Sequence, residues 1–324
     1  MISATTAARF FHGVREQCEV LQKKEQCSLV LIWNGNSIPA KALTSFARQH
    51  HIDTLYFELA NIPGKLFVDP WGVNAQSLLY AKPQILDTVV VTEEQYFQWR
   101  NRYLQYKRSE RITPLAAQSR KIHNPLFLID ALAVSLFNLP SIGEMNIIRK
   151  IRQLLQKPAS KFLFDDYPIN DSTYNFFPMQ LSNDSQLVIN SAVPQEDALI
   201  RAVEISREQE VDLLVKPHPL EQKGEVFQFL SLLKKTKGVY VVTIPTFQLV
   251  ERCREIITIN STVGLEGLIA QKKVSFLGNS FYSFFNEERL RNYLLGYLID
   301  IDYFAADDLS IAQLDTVLSR RAIV

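Results

Sequence analysis

From Ser185 onward the chain alternates between short β-branched or apolar runs and amphipathic stretches of helical period, and this rhythm dominates what it can fold into. "SQLVIN" reads as a strand, after which Pro194 opens "QEDALIRAVEISREQE", a helix with proline and acids at its start. "VDLLVK", "GVYVVT", "EIITIN" and "KVSFLG" read as further strands, separated by the helical "EVFQFLSLLKK", "PTFQLVERC" and "TVGLEGLIAQ". Strands joined through crossover helices pair in parallel, so the pattern predicts an α/β fold with a doubly wound parallel sheet covered on both faces.

The first half is less regular. The pattern predicts a helix from Thr5 to Leu21, the strand "SLVLIWNG", a helix from Pro39 to Gln49 and the strand "DTLYFEL". A loop-rich section precedes a charged helical stretch from Glu93 to about Arg120, then shorter helices at Pro125–Asn138 and Ser141–Gln156. A chain of 324 residues exceeds the roughly 100–200 residues of a typical domain. The turn-rich "KPASKFLFDDYPINDST" marks the boundary near Asp165 to Asp171, giving domains 1–168 and 169–324 with a cleft between them.

Charge and cysteine usage narrow the function. Lys and Arg number 35 against 34 Asp and Glu, so no global charge draws the chain to nucleic acid. Cys18, Cys27 and Cys253 are too scattered for a disulfide framework or a zinc site, which points to a reducing, cytoplasmic setting. No apolar run reaches the length of about 18 residues needed to span a bilayer. A peripheral contact with the inner membrane stays open through the basic "QWRNRYLQYKRSERITPLAAQSRK", for which a solvated helix face is the simpler reading.

Candidate chemistry gathers where strands end and helices begin, because loops converge there and helix N-termini offer unpaired N–H groups. In "KPHP", Pro217 and Pro219 hold His218 in a pre-shaped turn just after a strand. Asn260, Ser261 and Thr262 occupy the next such position, either as an ordinary helix cap or as a phosphate cradle. Glu266 lies one turn deeper than Thr262, where a carboxylate could take ribose hydroxyls, with Gly264 and Gly267 thinning its face.

Gln180 and Asp184 sit in "NFFPMQLSNDSQL", a loop facing the cleft, and Asp184 could be a nucleophile, a base or an Asx turn. Gln195, Glu196 and Asp197 open a helix, where acids complement the dipole. In "YFELANIPGKLFVDPWGVNAQS", Glu58 ends a strand and a long special-φ loop containing Asp69 follows, costly to order unless it contacts something. No Walker or dinucleotide glycine signature is present. A hydrolase built on His218 would want a nucleophile or metal ligands nearby, yet His12, His50, His51 and His123 all lie in the first half.

Taken in order, "FELANIPGKLFVDPWGVNAQS", "FFPMQLSNDSQL", "QEDA", "KPHP" and "NSTVGLEGLIAQKKVSFLGNSFY" resemble the capsule polysaccharide biosynthesis and export proteins of Gram-negative bacteria, which are β-Kdo glycosyltransferases using CMP-Kdo. The resemblance runs from about Leu29 to Tyr282. It implies a GT-B architecture of two Rossmann-like domains, with acceptor on the first, nucleotide donor on the second, and neither metal nor cofactor. Against that resemblance the chain opens on a helix where such a domain ordinarily opens on a strand and is compact for the family, so a trimmed first domain is an expectation.

The resemblance further implies that Lys216, His218, Pro219, Asn260 and the Ser261–Thr262 helix start hold the CMP moiety, with Gln180 beside them and Glu266 near the ribose. Asp184 becomes the candidate nucleophile of a retaining transfer and Glu58 the acceptor-side base. The expected partners are a nucleotide-sugar donor and a glycolipid or oligosaccharide acceptor in capsule or lipopolysaccharide synthesis. Lys216, Lys223, Arg201 or a first-domain Arg could pair with the carboxylate of Kdo. Alternatives are another CMP-sugar or CDP-glycerol as donor, or an inactive assembly partner in a capsule complex.

Overall fold

The computed structural model describes residues 3–109, 164–169, 173–182, 187, 190–305 and 308–322. Ser3 caps α1 (Ala4–Glu25), its hydroxyl accepting from the Thr6 N–H. β1 (Leu29–Trp33), α2 (Ile38–Gln49) and β2 (Asp53–Leu59) form a βαβ unit whose strands pair in parallel. Ser37 caps α2, and Pro39 stands in its first turn.

β3 (Lys65–Asp69) then folds back antiparallel on β2 across a turn at Gly64, whose φ of +71° suits glycine. The sequence reads here as loop. All five residues of β3 are buried, so the strand lacks the polar alternation that announces one in a sequence. α3 (Leu78–Ala81) and α4 (Glu93–Ser109) follow. The expected continuation of α4 to Arg120 and the helices at Pro125–Asn138 and Ser141–Gln156 lie outside the described residues.

The second half carries β4 (Tyr174–Pro178), α5 (Gln195–Glu208), β5 (Asp212–Lys216), α6 (Gly224–Lys237), β6 (Tyr240–Val241), α7 (Thr246–Arg252), β7 (Glu255–Thr258), α8 (Thr262–Ile269) and β8 (Lys273–Phe276). Its five strands run β6-β5-β4-β7-β8, every pair parallel. The expected α/β doubly wound arrangement is present. Its first strand is "YNFFP" rather than "SQLVIN", of which only Leu187 and Asn190 are described, in helix and turn. Proline at the end of β4 hides it as a strand, since proline lacks a ladder donor.

After β8 the chain returns to the first sheet. α9 (Glu287–Asn292) precedes β9 (Ile299–Asp300), which pairs antiparallel with β3, and α10 (Ile311–Ser319) packs beyond it. The first sheet is therefore four-stranded and mixed, in the order β1-β2-β3-β9. The division 1–168 and 169–324 does not separate the sheets, because the last strand of the first sheet comes from beyond residue 298. Arg289 clamps Asp87 with two bonds of 2.6 and 2.7 Å, and Asn292 donates to the Leu86 carbonyl, so this return is tied at several points.

The side-chain alternation of β2 and β3 sorts the core. Leu55, Leu66 and Val68 pack with Ile299 and Val317 on one face, whereas Tyr56 and Phe67 face a larger cluster that includes Phe176, Leu214 and Tyr282 from later in the chain. Glu58, two residues beyond Tyr56, shares that second face. Among the described residues no helix is long and apolar enough to cross a membrane.

Candidate active site

In the second sheet β4 lies between β5, which follows it, and β7, which is reached only after β6. Connections leave the central strands in opposite directions here, and such a switch point opens a crevice at the carboxyl ends of the strands. Gln180, just past β4, donates from Nε2 to Asn260 Oδ1, just past β7, at 2.9 Å. Gln195 Oε1 accepts from the Gln180 N–H at 2.7 Å, so the amide that opens α5 fixes the end of β4.

A cleft of about 1570 Å³ spreads from this crevice to the first sheet. Of the candidate residues, Glu58, Gln180, Lys216, His218, Pro219, Asn260, Ser261, Thr262 and Glu266 all line it. Asp184 lies outside the described residues. Arg201 pairs with Glu204 on the exposed face of α5, and neither it nor Lys223 lines the cleft.

Each side chain is held locally. Leu220 N–H donates to His218 Nδ1 at 3.1 Å, which leaves the proton of a neutral imidazole on Nε2. Ser261 caps α8, its hydroxyl accepting from Val263 N–H. Lys216 Nζ donates to the Ile244 carbonyl at 2.7 Å and to Thr246 Oγ1 at 3.0 Å, with no carboxylate opposite it among the described residues. Burial lowers its pKa to about 8. A half-buried ammonium, an imidazole and a helix N-terminus thus share one wall, a setting that favours an anion.

Glu221, beyond the "KPHP" turn, accepts from the Ser182 N–H and hydroxyl and from the backbone of Gln222 and Lys223. Burial opposes its charge, but these donors together hold its pKa below the usual carboxylate value. The turn and the loop leading to Asp184 are therefore locked to each other at Ser182.

On the opposite wall Asn34 Nδ2 donates to Glu58 Oε1 at 2.8 Å and Asn74 Nδ2 to Oε2 at 2.9 Å. Both asparagines have positive φ, so two strained turns orient one carboxylate. The Asn74 loop is organised by Asp69, which is fully buried and accepts from the N–H groups of Trp71, Gly72, Leu78 and Leu79. The costly loop is thus ordered mainly by its own aspartate.

α4 closes a third side. Lys107 Nζ lies 3.0 Å from Glu266 Oε1, Arg108 Nε 2.7 Å from Glu251 Oε1, and Arg100 donates to the Ile269 carbonyl. At these positions the basic stretch is bonded to the second half of the chain, with Lys107 largely withdrawn from water and Arg108 still exposed. Lys107 and Arg108 line the cleft and escape sequence reasoning, because nothing in the helix itself says which of its many cations reaches it. Gly264 and Gly267 likewise have another reason than room beside Glu266. A Cβ on Gly264 would meet Phe276 at 2.5 Å and one on Gly267 would meet Ile256 at 2.4 Å, so they seat α8 on the sheet.

The model of the family described as "Capsule polysaccharide biosynthesis protein" matches residues 30–285. The chain belongs to that family. Among curated proteins it is 30% identical over 122 residues to the capsule polysaccharide export protein KpsS of Escherichia coli, covering 35% of this chain and 31% of that one. It is 28% identical over 116 residues to the capsule polysaccharide modification protein LipB of Neisseria meningitidis, covering 32% and 28%. The matched stretch spans under a third of the length of each relative. Among solved structures, Thermosulfurimonas dismutans KpsC, β-Kdo 2,4 transferase, superposes with a TM-score of 0.53 at 18% identity, over 92% of this chain and 88% of that chain. That likeness is one of fold.

Proposed function

We propose that this capsule-family protein is a glycosyltransferase moving Kdo from CMP-Kdo to a glycolipid or oligosaccharide acceptor with retention of configuration. The observation that carries the reading is the single cleft that sets Glu58 of the first sheet across from Lys216, His218 and the α8 N-terminus of the second. The sequence motifs and the name of the KpsC neighbour support Kdo as the transferred sugar.

CMP leaves as a phosphate monoester, and negative charge grows on it as the glycosidic bond breaks. The α8 N–H groups, His218 and Lys216 stabilise that charge from fixed positions. Retention requires two displacements, and Asp184 supplies the first as nucleophile, following a loop that Glu221 fixes at Ser182. Glu58, oriented by Asn34 and Asn74, takes the proton of the acceptor hydroxyl. The carboxylate of Kdo pairs with Lys107 or Arg108, cations that the cleft presents from the first half of the chain.

Intact-protein mass spectrometry with CMP-Kdo generated in situ, alongside CMP release, tests this. Wild type gains one Kdo mass and the Asp184→Ala variant does not. CMP release without an adduct removes Asp184 from the nucleophile role. Neither adduct nor release, with candidate acceptors present, defeats the Kdo donor.

A further inference from the structure

We propose that a second pocket, beside the cleft on the first sheet, binds a carboxylate-bearing sugar. Its place in the reaction, as an outer acceptor subsite, rests on the transferase reading above; its ligand chemistry does not. The pocket has a volume of about 380 Å³, within the roughly 300–1,000 Å³ range of small-molecule sites.

One wall is a stripe of α2. Lys41, Thr44, Ser45 and Arg48 stand at helical spacings of three, four and seven and so share one face, with the Thr44 hydroxyl already bonded to the Ala40 carbonyl and the Tyr56 hydroxyl. The other wall is the half-exposed indole of Trp71 with the amide of Gln76. No acidic side chain lines the pocket, and neither Lys41 nor Arg48 forms an ion pair among the described residues. Lys82 Nζ lies 5.7 Å from the Trp71 ring centroid, adding a third positive charge.

Two exposed cations with no acid paired to them among the described residues favour an anion, and the indole offers a flat apolar face. A carboxylated pyranose uses both at once, its acid group between Lys41 and Arg48 and its C–H face on Trp71. The pocket adjoins the cleft through consecutive residues, since Asn34 lines the cleft and Gly35 the pocket. Gly35 has φ +78°, and a Cβ there would stand 3.1 Å from the Tyr56 ring, so this partition stays thin. A saccharide seated in the pocket can therefore extend past Asn34 toward Glu58, to which Asn34 is bonded.

Labelling the full chain with 5-fluorotryptophan gives three fluorine resonances, from Trp33, Trp71 and Trp99, and Trp71→Phe identifies one of them. Titrations use methyl β-glucuronide, the uncharged methyl β-glucoside and inorganic phosphate. The glucuronide is expected to move the Trp71 resonance, with affinity falling about tenfold or more in Lys41→Ala/Arg48→Ala, and the glucoside to leave it in place. Lys41→Gln/Arg48→Gln repeats the test with side-chain bulk retained, and the Trp99 resonance reports the fold of each variant.

An equal response to the glucoside, a response to phosphate as strong as to the glucuronide, or no movement with any ligand overturns the proposal. CMP binding to wild type, followed by calorimetry, separates the two readings. CMP binding with a silent Trp71 defeats the subsite alone. A Trp71 response without CMP binding leaves the subsite standing and defeats the transferase.

Discussion

Lys107 Nζ and Glu266 Oε1 are 3.0 Å apart although 159 residues separate them in the chain, and both side chains are largely withdrawn from water. The bond ties α4 to the helix whose N-terminus faces the cleft. A charge left there without its partner is costly, because neither side chain can fully rehydrate. In a double-mutant cycle with Lys107→Met and Glu266→Gln, urea unfolding is expected to show a coupling of about 1 kcal/mol. Additive single effects would remove the pair as a link between the halves.

Lys216 makes the binding of an anion visible as a proton. With its pKa lowered to about 8, roughly three quarters of it is neutral at pH 8.5. On the proposed function a phosphate beside it raises that value, so CMP binding is expected to take up on the order of half a proton or more. Calorimetry at pH 8.5 in buffers of different ionisation enthalpy reads the uptake, which is expected in wild type and absent in Lys216→Met. The sign also bears on folding: burial destabilises fully below about pH 8, and the cost is relieved as pH rises toward the ordinary lysine value.

For Glu221 the sign is opposite. Its folded pKa lies below the ordinary value, so its stabilisation is complete above about pH 4.5 and is lost as pH falls through the folded value. The urea midpoint of wild type is expected to exceed that of Glu221→Gln at pH 6, with the gap closing below pH 4. A gap that persists at low pH would mean that the amide fails for reasons of shape, not charge.

Gly267→Ala tests the seat of α8. The added methyl meets Ile256 and Val274 at 2.4 and 2.9 Å, inside contact distance. The variant is expected to lose about 1–3 kcal/mol in urea unfolding. Full stability would show that α8 can shift outward at little cost.

Asp69→Asn tests whether the Glu58 carboxylate depends on the loop behind it. The buried carboxylate accepts four backbone N–H groups and the Tyr297 hydroxyl, and an amide turns one acceptor into a donor facing donors. A loss of about 1–3 kcal/mol is expected from that mismatch. Faster amide exchange from Trp71 to Leu79 is the local signature to measure; exchange unchanged there would detach Asp69 from the Asn74 turn.

Much of this was legible because the signals are local. The helix starts at Pro194 and Ser261, the proline-fixed His218 turn and the strand ends around them are set by residues within a few positions of one another. Parallel order then brings those strand ends to one edge of the sheet. Gln180 and Asn260 meet there without either sequence stretch naming the other. The strands "KLFVD" and "YNFFP" were hidden for the converse reason. Full burial removes alternation, and turn residues interrupt the apolar run.

By itself the sequence determined the α/β class, the parallel second sheet and the positions of the strand-end residues of that sheet, since periodicity and turn chemistry act over a few residues. Only the tertiary structure decided that Lys107 and Arg108 pair with Glu266 and Glu251, that Ile299–Asp300 completes the first sheet, and that two asparagines hold Glu58. Those outcomes depend on contacts between distant segments, where many partners satisfy the same local pattern and packing selects one.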